Sequence, residues 1–139
     1  MILVDTNVIS EPLKPRPNVS VIKWLDDQLI DALYLSTISI AEIRFGIAAL
    51  PSGKKKTTLE ESLESTILPL FTNRVLSFDQ NAAKIYALSM AKARKCGITV
   101  GIADAYIAAI AKANSMTIAT RDTNPFDALE VPYINPWEC

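Results

Sequence analysis

Met1-Ile2-Leu3-Val4-Asp5-Thr6-Asn7-Val8-Ile9-Ser10 opens the chain, and the fold turns on how its first five residues are read. Four consecutive apolar residues without polar alternation have the pattern of a strand covered on both faces. Asp5 ends that run. A carboxylate there can be the first residue of an Asx turn, the N-cap of a helix, or part of a site.

The rest of the chain repeats the alternation that a buried first strand implies. After the proline-rich stretch Glu11 to Pro17, which cannot continue a helix, Val21, Ile22, Leu25 and Leu29 recur at helical spacing. Ala32 to Ser36 reads as a second strand and Ile38 to Leu50 as a helix, closed by Pro51-Ser52-Gly53. Leu59, Leu63 and Ile67 mark one face of a further helix, and Arg74 to Phe78 a strand. Asp79 is placed to cap a helix that Gly97 ends. A helix over Ile102 to Asn114, a strand over Met116 to Ala119 and a weaker strand over Val131 to Ile134 complete the series. Strands separated by helices predict parallel pairing through right-handed crossovers. The expected class is α/β, a mostly parallel central sheet with helices on both faces, in a single domain over residues 1–139.

Composition narrows the chemistry. The chain is 50% hydrophobic yet has no run of apolar residues long enough to span a bilayer, and Asp5 interrupts the opening run too early for a secretory leader. The expected compartment is the cytoplasm, with no membrane partner. Cys96 and Cys139 form neither a CxxC pair nor a disulfide framework. With 14 basic and 15 acidic residues, any contact with nucleic acid must be local. The sequence contains no histidine, which removes Ser-His-Asp triads, imidazole acid–base pairs and His-containing zinc sites together. A hydrolase built from this chain must work with carboxylates, most economically with a hard metal.

Four carboxylates are the candidates. In open parallel sheets ligands collect beyond the carboxyl ends of strands. Asp5 and Asp122, each just after a predicted strand, are expected at that edge, although each also reads as a turn or loop residue. Asp104 is the only charged side chain between Cys96 and Ala111, on a helix apolar nearly all round. A carboxylate buried there needs a cation, donors or a proton; the helix dipole at the first turn is the alternative. Glu42 fits a capping box with Ser39, and the local sequence favours that structural role. If the four converge, they repel one another and any phosphate unless divalent cations neutralise them. Oxygen-only ligation suits Mg²⁺ or Mn²⁺, and a pair of such ions stabilises attacking and leaving oxygens in phosphodiester cleavage.

The same residues carry a resemblance. Asp5-Thr6-Asn7-Val8-Ile9-Ser10, Ile40-Ala41-Glu42-Ile43-Arg44-Phe45-Gly46, Ile102-Ala103-Asp104-Ala105-Tyr106, Ala119-Thr120-Arg121-Asp122 and Ile134-Asn135-Pro136-Trp137-Glu138 occur in this order over the whole chain. Together they resemble PIN-domain ribonucleases, and more narrowly VapC-type toxins of toxin–antitoxin pairs. The resemblance implies a PIN-like fold and a metal-dependent endoribonuclease. It places Asp5, Glu42, Asp104 and Asp122 as catalytic metal ligands for Mg²⁺ or Mn²⁺, with the Thr120 hydroxyl close to the metal or its water. It further implies a homodimer and a small cognate antitoxin, through which alone the chain meets DNA. This sequence has Pro125-Phe126 where many relatives carry Asp then Phe, so Asp122 is the only acidic ligand expected from that loop.

Other readings compete. A haloacid-dehalogenase-like phosphohydrolase also begins with Asp after its first strand, but normally has a second Asp two residues on, where this chain has Asn7. A receiver-type phospho-acceptor lacks its lysine, and the four glycines form no phosphate-binding loop. A non-catalytic module whose acidic pocket receives a basic peptide remains open. For RNA contacts the candidates are Arg44 and Arg121, close to Glu42 and Asp122, with Lys14, Arg16 and Lys54 to Lys56 beyond them and Asn7 beside Asp5. Aromatic residues are 7% of the chain, which favours recognition of RNA by shape and backbone over stacking of many bases. The expected antitoxin groove lies between the helices around Ile40 to Leu50 and Leu59 to Leu70.

Overall fold

In a computed structural model describing residues 1–139, the opening run forms strand β1, Ile2–Val4. It is followed by α1 (Thr6–Ser10), α2 (Val19–Asp27), β2 (Leu33–Ser36), α3 (Thr37–Ala48), α4 (Lys54–Glu61), β3 (Val75–Leu76), α5 (Gln80–Lys95), α6 (Ile102–Ala113), β4 (Thr117–Ala119), α7 (Asn124–Ala128) and β5 (Tyr133–Ile134). β1 is paired on both sides, Leu3 lying opposite Tyr34 of β2 and Ile118 of β4. All five strands are parallel, in the order β3-β2-β1-β4-β5, so the sheet has no antiparallel member.

Both faces are covered, which explains the unbroken apolar pattern of β1. Leu3 and Ile118 pack with Ile107, Ile110 and Phe126 from α6 and α7 on one side. Val4 and Ala119 pack with Val8, Val21, Ile40, Leu63 and Phe71 on the other. Leu3, Val4 and Ile118 are each 0% exposed, and burying such a side chain stabilises the fold by roughly 1.5–3 kcal/mol.

Helix boundaries follow local chemistry with two corrections. Asp79 caps α5, accepting the Ala82 N–H at 2.9 Å, and Gly97 ends it at φ 72, a left-handed conformation that glycine adopts without steric cost. The capping box expected at Ser39 and Glu42 does not form. Ser36 caps α3 by accepting the Ser39 N–H at 3.1 Å, which places Ser39 inside the helix and frees Glu42. The stretch expected as a loop after Asp122 contains α7, with Pro125 in its first turn, where its missing N–H has no intrahelical partner to lose. The helix begun by α4 widens to π geometry over Ser62–Ile67 before Pro69. An α-helix continued there would drive the proline ring into a carbonyl one turn back.

The strand order puts β2 and β3 on one side of β1, β4 and β5 on the other. The chain therefore changes direction across the sheet between β1 and β4, and the crevice at their carboxyl ends is where such folds bind ligands. Helices that return the chain run against the strands, so α6 begins at that same edge.

Candidate active site

The carboxyl edge gathers the four acids from four elements. Asp5 caps α1 directly after β1, Glu42 lies in the second turn of α3, Asp104 in the first turn of α6, and Asp122 in the loop after β4.

Asp5 is the most enclosed, at 5% exposure. One carboxylate oxygen accepts the Thr6 N–H at 2.8 Å, and the other accepts the Thr120 hydroxyl at 2.8 Å. The Asp5 N–H is itself tied to the Ala119 carbonyl at 2.9 Å, so β1 and β4 fix the residue from both sides. Burial pushes its pKa up to about 6; the Thr120 and Thr6 hydrogen bonds oppose the shift, and the charges of Asp104 and Glu42 add to it. Asp104 is also raised, first by burial and then by Asp122 and Glu42. Asp104, Glu42 and Asp122 thus each raise the pKa of at least one other acid of the set. No lysine or arginine lies within ion-pair distance of any of them.

Neighbouring polar groups orient this set. Thr6, to which no spacing in the sequence assigns a role, donates its hydroxyl to Glu42 at 2.6 Å across the crevice. Its place between Asp5 and Asn7 was the available signal, since a hydroxyl beside a strand-end carboxylate is poised for a second one. Thr120 is 0% exposed, and the Asp122 carbonyl lies 3.3 Å from its oxygen as an alternative acceptor. Asn7 joins the two turns, its side-chain oxygen accepting the Arg121 N–H at 3.3 Å. Arg44 is not free to face the acids: its guanidinium makes paired contacts with Glu64 at 2.8 and 3.0 Å.

The donor chemistry fits a hard divalent cation. All the donors are oxygens, and Asp5 and Asp104 are destabilised as anions by burial and by neighbouring carboxylates, a cost that a cation would offset. As the side chains stand, no three of the acids close around a single point.

The raised pKa of Asp5 has a measurable sign. Its ordinary value is 3.8, so below about pH 4 the carboxyl is protonated whether folded or unfolded and its contribution is complete. As pH rises through the folded value of about 6, the folded protein must release a proton the unfolded chain has already lost, and stability falls. In EDTA, the melting temperature of wild type relative to Asp5→Asn is expected to decline from pH 4 to pH 7, by the equivalent of roughly 2 kcal/mol. A difference that stays flat over this range would mean that Asp5 ionises normally.

Known proteins resemble this chain over nearly its whole length. The PIN domain family model matches residues 2–131, and the chain belongs to that family. Toxin FitB of Neisseria gonorrhoeae is 53% identical over 137 residues, covering 99% of each chain. VapC ribonuclease Y4jK of Sinorhizobium fredii is 51% identical over 138 residues, again covering 99% of each. The structure of FitAB bound to an IR36 DNA fragment superposes with a TM-score of 0.95 at 53% identity, over 99% of this chain and 96% of that one.

Proposed function

We propose that this chain is a metal-dependent endoribonuclease toxin of a toxin–antitoxin pair, hydrolysing RNA phosphodiester bonds at the four-carboxylate edge. The observation that carries this reading is the convergence of Asp5, Glu42, Asp104 and Asp122 on one another's charge with no cationic side chain among them. Membership of the PIN family and similarity to a VapC ribonuclease support it. The four acids would hold Mg²⁺ or Mn²⁺. Bound there, a divalent cation would supply an acidified water near neutral pH and a counter-charge for the phosphate.

The protein's own groups have defined tasks in this reading. The Thr120 and Thr6 hydroxyls hold Asp5 and Glu42 in fixed orientations, and hydrogen bonds from Thr120 and the Thr6 amide favour the charged form of Asp5. Asn7 carries an amide that neither gains nor loses a proton near neutral pH, so it cannot act as the acid–base group that a dehalogenase-like phosphatase needs; its oxygen accepts the Arg121 N–H instead.

The partner reading rests on a groove of about 740 Å³ between α3, α4 and the turn after α1. Leu13, Ile43, Ile47, Leu50 and Leu59 supply its apolar lining, while Thr6 and Glu42 reach one end of it. An amphipathic antitoxin segment laid there would cover apolar surface and approach the acids. Similarity to FitAB on DNA, with a net charge of only -1 on this chain, supports DNA contact through the antitoxin. Homodimerisation, a cytoplasmic location and a single domain belong to the same proposal. No helix is long and apolar enough to cross a membrane.

The test is direct. Purified protein is expected to cut single-stranded or looped RNA in Mg²⁺ or Mn²⁺, to stop in EDTA and to resume when metal is restored. Release of phosphate from small monoesters without RNA cleavage would replace this reading with the phosphohydrolase. An inert protein that still binds a basic peptide in its acidic pocket would favour the non-catalytic module.

A further inference from the structure

The loop that carries Asp122 also carries Arg121, and that arginine is arranged in an unexpected way. It is exposed and stands one residue from an acid, yet its guanidinium makes no ion pair with any carboxylate. Instead it lies over the Trp137 ring, 5.2 Å from the centroid, within cation–π range. Its backbone N–H is anchored on Asn7.

Trp137 is itself fixed. The segment after β5 turns back on Asn135, whose side-chain oxygen accepts the Trp137 N–H at 2.9 Å and whose carbonyl accepts the Glu138 N–H at 3.0 Å. The indole is half-buried against the core that contains Val4, Ile9 and Ala119. β5 is parallel to β4 and hydrogen-bonded to it, so this turn lies at the carboxyl edge with the acids. A free arginine beside four carboxylates would be drawn into an ion pair. Held on an aromatic face, its N–H donors stay available to another acceptor. Arg44, the other arginine adjacent to an acid of the set, is consumed by Glu64.

We propose that Arg121 contacts a phosphate of the RNA strand beside the cleavage site, and that Trp137 is the positioning residue that holds it there. This deepens the ribonuclease reading and rests on it. Planar paired donors suit a phosphate oxygen pair, and the contact is to the backbone, so it carries no base preference.

The test measures binding by fluorescence anisotropy of a fluorescein-labelled single-stranded RNA of mixed sequence, in Mg²⁺ and over a range of salt. Asp104→Asn serves as the background so that the probe is not cut. Arg121→Ala in that background is expected to weaken binding about tenfold and to reduce the slope of log affinity against log salt by about 0.7, one phosphate contact on a single strand. Arg121→Lys is expected to keep the slope while losing part of the affinity. Trp137→Ala is expected to cost about threefold, Trp137→Phe to stay near the background, and Trp137→Ala to cost nothing further once Arg121 is Ala.

Arg121 is an exposed side chain, so its variants do not put folding at risk; Trp137→Phe keeps a ring in place if Trp137→Ala unfolds. An unchanged affinity and salt slope for Arg121→Ala, in a background that binds RNA, overturns the contact and leaves the ribonuclease reading intact. A loss from Trp137→Ala that is just as large without Arg121 overturns the positioning role. Failure of the background to bind RNA, with no cleavage by wild type, removes both readings.

Discussion

Asp104→Asn is expected to lower RNA cleavage by about three orders of magnitude or more, while in EDTA the variant melts no lower than wild type. The two halves have one cause. Asp104 is half-buried at the start of α6, its anion raised in energy by burial and by Asp122 and Glu42, so losing its charge relieves the metal-free protein. The same loss weakens the site for a cation.

Asp5→Asn, Glu42→Gln and Asp122→Asn should behave alike, and for Asp5 and Glu42 the reason is visible in their contacts. An Asn at position 5 can still accept the Thr6 N–H and donate to the Thr120 oxygen, whose proton then turns to the Asp122 carbonyl. A Gln at position 42 can still accept the Thr6 hydroxyl. Shape and hydrogen bonds survive; charge does not. Initial rates on RNA in saturating Mg²⁺, set beside melting curves in EDTA, check both halves. Variants that unfold more readily yet cut RNA normally when folded would reduce Asp5 and its companions to turn and helix-start residues.

How much of this was legible in the sequence depends on whether local chemistry or tertiary contact decides. The unbroken apolar run of β1 could be read because only a doubly covered strand needs it, and Asp104 stood out because nothing near it in sequence could pair with it. The placement of Glu42 was not decided locally. Ser36 and Ser39 are three residues apart and both can cap, and it is the extent of β2, fixed by pairing with β1 and β3, that selects Ser36. Glu42 is thereby left to Thr6, a partner 36 positions away. α7 was hidden because Asp122-Thr123-Asn124-Pro125 carries turn residues that also start helices, and only the full burial of Phe126 against Leu3 and Ile118 settles the choice. Arg121 and Trp137 meet because β4 and β5 pair, which no spacing rule on one sequence exposes.

Thr120→Val is expected to weaken apparent metal affinity by about 10–100-fold and to move the acid side of the pH–rate profile to higher pH, with Thr120→Ser close to wild type. The side chain is wholly buried, and valine matches its shape without its donor. Asp5 then keeps only the Thr6 N–H. The Thr120 hydrogen bond is the leading influence holding the Asp5 pKa down, so its removal drives that pKa above the present value of about 6 and lets a proton compete with the cation. Raising the pH or the Mg²⁺ concentration should therefore restore much of the rate, whereas a variant damaged only in its packing cannot be rescued by either. Equal loss at every pH and metal concentration, with the Asp5 titration unmoved, would leave Thr120 as a filler between β4 and α1 and return the orientation of Asp5 to the backbone alone.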